Sequence, residues 1–140
     1  MSNRLLLFTF CFYLCCLMGC SPRKAEEKSD PNEKIAISIV IDFKDRGNLI
    51  SVNDLILPGG SSIRDALVEA EQKEFFSFSD TLYTGIGHLL LNFNGIASKN
   101  SNYWFYCVNN QKAKEGIDQI KLRNGDVISW VLTDETNPCK

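Results

Sequence analysis

The chain has 140 residues, with 15 basic against 17 acidic ones, a formal charge of −2 and 44% hydrophobic residues. That is enough for one modest domain with a real core, and too little for several. Acids and bases are interspersed and no basic stripe runs along the chain, which sets nucleic acid aside as a partner.

The first element is a leader. MSNRLLLFTFCFYLCCLMGC opens with Arg4 and runs apolar from Leu5 to Met18. Such a run is short for a membrane span and reads as the apolar region of a signal peptide, residues 1–19. It ends in Leu17-Met18-Gly19-Cys20, which resembles a bacterial lipobox. The likeness implies cleavage before Cys20, lipidation of its thiol and acylation of the new amino end by palmitate-type chains. Each buried methylene contributes about 0.8 kcal/mol, so several chains anchor firmly. The alternative is an ordinary signal peptide cut elsewhere, or an uncleaved anchor.

Residues 20–34 change character. SPRKAEEKSDPNEK has one Ala and no large apolar side chain, so it cannot bury enough surface to fold and reads as a flexible tether. Ser21 after the Cys, where Asp is absent, favours export to the outer membrane of a two-membrane cell. The expected address is therefore the cell envelope, with the domain outside the cytoplasm. Without Arg4, 14 of the 15 basic residues remain against 17 acidic ones, a charge of −3. Of the six cysteines, Cys107 and Cys139 alone are left for the domain, an even pair in an oxidising compartment. They either form a disulfide that ties the tail to the sheet or remain two separate thiols.

The domain, residues 35–140, begins with IAISIVIDF, where Ile35, Ile37, Ile39, Ile41 and Phe43 alternate with smaller or polar residues, the signature of a half-buried strand. LISVNDLILP is a second strand, ended by Pro58-Gly59-Gly60. In SSIRDALVEAEQKE, Ser62 is a good N-cap, Asp65 suits the first turn, and Ile63, Ala66, Leu67 and Ala70 form one apolar stripe. Phe75 to Phe78 and Thr81 to Thr84 look like short strand pieces. HLLLNFNGI is a strand closed by an Asn94-Gly95 turn. NYWFYCVN and DVISWVL are the last strong strands, separated by the polar, turn-rich NQKAKEGIDQIKLRNG. One helix against one mixed sheet is an α+β arrangement of β-grasp type. Ile37, Ile39, Ile41, Leu67, Leu90, Val127 and Val131 are the expected core.

Several motifs together resemble the bacterial transcobalamin-like C-terminal domain, the DUF4430 type. Its W-x-Y-x-V-N-G strand corresponds to Trp104, Tyr106, Val108 and Asn109, with Asn110 in place of Gly. Its A..G and l.dGD.I.W segments correspond to Ala113, Gly116, Leu122, Gly125, Asp126, Ile128 and Trp130. LPGGSSIRDALVEA and TGIGHLLLNFNGI resemble the family's helix start and its G.GyyV..InGi strand, with His88 where the family often has an aromatic residue. The likeness runs from about Ile35 to Thr133. It implies the β-grasp fold and, as in animal carriers where this domain is half of a clamp, binding of cobalamin. The large helical barrel that forms the other half has no counterpart in these 140 residues.

The chemistry is otherwise sparse. A lone His, His88, in an apolar strand provides no nucleophile–base set, and Ser61, Ser62 and Asp65 are explained by capping. Gly85-Ile86-Gly87 is no dinucleotide fingerprint. One His and two distant Cys do not make a metal site. Asp126 in NGD is turn chemistry. The aromatics remain: Trp104, Tyr106 and Val108 share one face of their strand, and Tyr103, Phe105 and Cys107 share the other. One face meets the core, and the other meets either a ligand or covering loops. The expected ligand-binding residues are Tyr103, Trp104, Tyr106, Asn109, Asn110 and Trp130, with no catalytic residue, no metal and no cofactor apart from cobalamin as a bound ligand. The expected protein is a non-enzymatic, membrane-anchored envelope protein that binds cobalamin or another small ligand. The alternative is a structural or adaptor lipoprotein that holds another envelope protein.

Overall fold

The computed structural model describes residues 32–136 and 138–139. The expected signal peptide, Cys20 and nearly all of the expected tether lie outside these residues. Among the described residues there are eight strands and one α-helix. The strands are β1 (Lys34–Asp42), β2 (Ile50–Pro58), β3 (Phe78–Tyr83), β4 (Gly87–Phe93), β5 (Ile96–Ala97), β6 (Tyr103–Val108), β7 (Gln111–Lys112) and β8 (Val127–Thr133), and α1 is Ile63–Gln72. No described helix is long and apolar enough to cross a membrane.

The fold is α+β. A five-stranded sheet has the order β2-β1-β8-β6-β7, and a separate three-stranded sheet has the order β3-β4-β5. Its centre is a parallel pair, β1 with β8, in which Ser38 faces Val127 and Asp42 faces Val131. All other pairings are antiparallel. The single mixed sheet expected from the sequence is thus divided in two. Phe75 and Phe76 precede β3 rather than forming a strand, and Phe78 to Tyr83 run as one strand with a bulge between Ser79 and Asp80.

β1 keeps strict alternation, and Ile35, Ile37, Ile39 and Ile41 are buried. β2 does not: Val52, Leu55 and Leu57 are all buried although their spacing breaks period two. The ladder shifts between Ile37 and Ile39, and Asp54 takes φ 53°. This bulge adds the odd residue that returns Leu55 to the inner face. In β8, Ile128, Trp130 and Leu132 point inward. Val127 and Val131 therefore share the outer face with Ser129 and are not core residues, and Leu90 is only half-buried.

Ser62 and Asp65 form a complete capping box on α1. The Asp65 amide donates to Ser62 Oγ (3.2 Å), and the Ser62 amide donates to Asp65 Oδ2 (2.7 Å). Ile63, Ala66, Leu67 and Ala70 are buried against the sheet. Burial pushes the Asp65 carboxyl up, but the hydrogen bonds from the Ser62 amide and hydroxyl outweigh it and the net shift is downward. A depressed carboxylate contributes stability above its unfolded value, and that contribution is lost as pH falls through the folded value. Ser62→Ala is expected to cost about 1 kcal/mol in urea unfolding at neutral pH. The gap between wild type and Asp65→Ala is expected to narrow as pH drops below 3.8, the usual carboxyl value. A gap that widens on acidification would contradict the cap assignment.

Candidate functional site

The aromatic strand β6 is read from the centre of the core outward. Phe93 sits edge-on to Phe76, Trp104 and Trp130 at ring separations of 5.3, 5.1 and 5.3 Å, and Phe43 meets Trp104 at 5.3 Å. Edge-to-face rings at these distances add to the energy of burial itself. Trp104 is 9% exposed and its Nε1 donates to the Ile96 carbonyl at 2.9 Å. Trp130 is 1% exposed and lies beside Tyr106, 4.7 Å between centroids. Its Nε1 has no hydrogen-bond acceptor among the described residues.

These placements change the expected ligand platform. Trp104 and Trp130 are core residues, because β6 and β8 turn them toward β4, β5 and the helix. Tyr106 lies on the same inner face, half-buried, and its hydroxyl donates to the Glu115 carbonyl at 2.5 Å. Burial first, then the carboxylates of Glu115 and Asp118, push its phenol above the usual tyrosine range. The 113–122 loop therefore covers Tyr106. Gly116 makes this possible: a Cβ there would stand 2.6 Å from the Ile86 carbonyl and 3.1 Å from Gly87 Cα.

Asn109 is also structural. With Asn110 it forms the two-residue turn between β6 and β7, at φ 50° and 63°. Its side chain donates to Asp126 Oδ1 (2.8 Å) and accepts from the Val127 amide (2.9 Å). The NGD segment is equally occupied. Asn124 Oδ1 accepts from the Ala36 amide at 2.8 Å, the Gly125 amide donates to the Ala36 carbonyl, and the Ser38 amide donates to the Asp126 carbonyl.

The outer face of the five-stranded sheet is different. Tyr103, 57% exposed, stands there with half-buried Phe105, their rings 6.5 Å apart. Lys112 Nζ lies 4.3 Å from the Phe105 ring centre and donates to the Thr136 carbonyl at 3.0 Å. Cys107 is joined to Cys139, which draws the C-terminal tail across this face. Between the tail and the sheet lies an open trough of about 290 Å³. Val40, Ser129 and Val131 line it, with Leu49 and the Asp42–Lys44 pair (3.0 Å) toward β1 and Pro138 with the disulfide on the tail side. Of the expected ligand residues, Asn110 and Trp130 also line it. Burial raises the Asp42 carboxyl, but hydrogen bonds from Lys44 and its charge win, so Asp42 is held below the usual range. This trough was not legible in the sequence, because the tail's path depends on the disulfide.

A second, more open concavity of about 360 Å³ lies by the β6–β7 turn, with Val108 and Ile120 beside Lys112, Lys121 and Arg123. Elsewhere His88 Nδ1 stands 3.0 Å from Asp80 Oδ2, off the geometry of a hydrogen bond, while Arg64 Nε approaches the same oxygen at 2.6 Å. Among the described residues no group of three or more His, Cys, Asp or Glu side chains is placed to hold a metal ion.

A parallel pair of terminal strands, flanked by antiparallel partners and crossed by one helix, defines a β-grasp domain. Residues 60–134 match the family described as "Domain of unknown function (DUF4430)", and the chain belongs to that family. In fold it is similar to haptocorrin in complex with Cbi, at 15% identity and a TM-score of 0.63, over 74% of this chain and 26% of that one. The likeness thus covers about a quarter of the haptocorrin chain. It is also similar to a candidate metal-binding protein from Ruminococcus gnavus ATCC 29149, at 12% identity and a TM-score of 0.52, over 72% of this chain and 98% of that one. No curated protein matches the sequence.

The two tryptophans separate packing from hydrogen bonding. Trp104→Phe removes a donor bonded to the Ile96 carbonyl, whereas Trp130→Phe removes a buried donor that has no acceptor among the described residues. Trp104→Phe is expected to destabilise more, by about 1 kcal/mol in urea unfolding. The reverse order would show that the Ile96 bond contributes nothing.

Proposed function

We propose that this protein is a non-enzymatic binding protein of the cell envelope, anchored through lipid on Cys20, which takes a small ligand in the outer-face trough. The observation that carries the ligand reading is the trough itself. The disulfide fastens a tail over the sheet, yet the tail leaves an apolar floor of Val40 and Val131 open beside the Asp42–Lys44 pair.

At about 290 Å³ the trough stands at the lower end of ligand sites. It would accept a small molecule, or one peripheral group of a larger one such as a corrinoid. Fold likeness to a protein solved with Cbi supports testing a corrinoid first. Polar groups that could serve catalysis have other duties. Ser61 Oγ donates to the Pro58 carbonyl, Ser62 caps α1, and His88 shares Asp80 with Arg64. The anchor reading rests on Leu17-Met18-Gly19-Cys20 and the polar tether behind it.

Two outcomes are expected. Cells fed labelled palmitate label the wild-type protein and not Cys20→Ser; equal labelling of both removes the anchor. Calorimetry of the protein with cobalamin shows heat that Val131→Asp abolishes while circular dichroism is unchanged. No heat at high micromolar cobalamin removes the corrinoid. Capture of an envelope protein in its place would then favour the adaptor reading.

A further inference from the structure

The two ends of the domain differ in what meets there. Past the end of β1 and past the end of β4, Phe43, Asn94 and Ile96 line one crevice with Ile50. β1 and β4 therefore run toward the same end and begin together at the other. A chain of hydrogen bonds spans that other end. The Gly59 amide donates to the Glu33 carbonyl, Leu122 to Ser61, Arg64 to Ile117, and Ile117 to His88. Gln119 Nε2 donates to the Ile86 carbonyl at 3.0 Å. The path leads from the first described residues of the tether to the β3–β4 turn.

That turn is Leu82-Tyr83-Thr84-Gly85-Ile86-Gly87, without a charge. Leu82, Tyr83 and Ile86 are 65%, 48% and 51% exposed. Three large apolar side chains on one protruding turn are unlike scattered surface residues and mark a contact. The turn is stiffly held at its base: the His88 amide donates to Asp118 Oδ1 at 2.8 Å, and Gly87 packs directly under the Asp118 side chain.

We propose that this turn contacts the lipid surface, with Leu82 and Ile86 entering the acyl boundary and Tyr83 at headgroup level. Aliphatic and tyrosine side chains partition in this way. The proposal rests on the anchored reading. Eleven residues lie between Cys20 and Asn32, and the twelve Cα–Cα steps cap the reach at about 40 Å. So short a tether keeps the domain near the bilayer, and the end at which it enters is the end that bears the apolar turn. The trough, which reaches Asp42, Leu49 and Thr133 at the far end of β1 and β8, then lies toward the end of the domain away from the membrane.

The test uses the full lipidated protein in vesicles of phosphatidylethanolamine and phosphatidylglycerol, with plain or brominated acyl chains. Ile86→Trp places a reporter on the turn, and Leu49→Trp places one at the trough end. Trp104 and Trp130 are buried in both. The expected result is that the added Ile86→Trp emission shifts blue and is mostly lost in brominated vesicles, while that of Leu49→Trp persists. If the protein floats with vesicles but Ile86→Trp emission is not quenched, the membrane contact is overturned. A blue shift without bromine quenching is equally fatal to it and assigns the turn to a second copy or a protein partner. Failure of the wild type to float would instead overturn the anchor, and this proposal with it.

Discussion

Everything in this domain depends on one pairing between strands at opposite ends of the chain. β1 and β8 lie side by side in parallel, and parallel neighbours cannot be joined by a tight turn. The chain between them must leave the sheet and return, and that excursion contains α1, the three-stranded sheet and β6. The return is set by Asn124-Gly125-Asp126, where Asn124 Oδ1 satisfies the Ala36 amide across a separation of 88 positions. Gly125 takes φ 83°, a conformation that glycine reaches without steric cost. Asp126 accepts from the Arg123 amide at 2.8 Å and from Asn109 Nδ2, which fastens the β6–β7 turn to the same junction. A short polar motif thereby sets the register of three strands.

With the register set, the core follows from parity. Ile41 stands beside Trp130, and Trp130 opposite Tyr106, so large side chains from three adjacent strands converge on Phe93. The second sheet supplies Phe93 and covers that face, and α1 closes it with Leu67 and Ala70. Gly87 and Gly116 allow backbone to approach backbone where the 113–122 loop meets β4. These glycines share a packing reason, and neither is near the trough.

How much of this was legible in the sequence differs by level. Alternation in β1, the Ser62 N-cap, the Asn94-Gly95 turn and the α+β class could be read directly, because each rests on a local pattern. The family likeness was legible for a similar reason: most of its motif residues, such as Gly125, Asp126 and Asn109, sit in turns that the fold needs. Which face of β6 points inward was not legible. Period two says that Trp104 and Tyr106 share a face, and says nothing of which face meets the core. Both β6 faces carry aromatics, so hydrophobicity did not separate them. Val127 was misread for a related reason, since one residue of offset in β8 exchanges its inner and outer sets. The division into two sheets was hidden too, because no local signal distinguishes a strand that joins one sheet from a strand that starts another.

The relocation of the tryptophans shifts the weight of the functional argument. An aromatic pair on the surface needs a partner to explain it, whereas one around Phe93 is explained by packing. What still calls for explanation stands on the opposite face and at one end: a trough that the tail borders but does not fill, and an exposed turn with Leu82, Tyr83 and Ile86 in water. The two features lie at opposite ends of β1. Because the proposed tether would enter at β1, that one strand would order anchor, core and trough along a single axis. Burial in the core takes no part in that ordering, since every inward side chain of β1 is already satisfied by its neighbours. On the proposed reading these outward features serve a membrane contact at one end and a ligand at the other, and their separation along β1 keeps the two from obstructing each other.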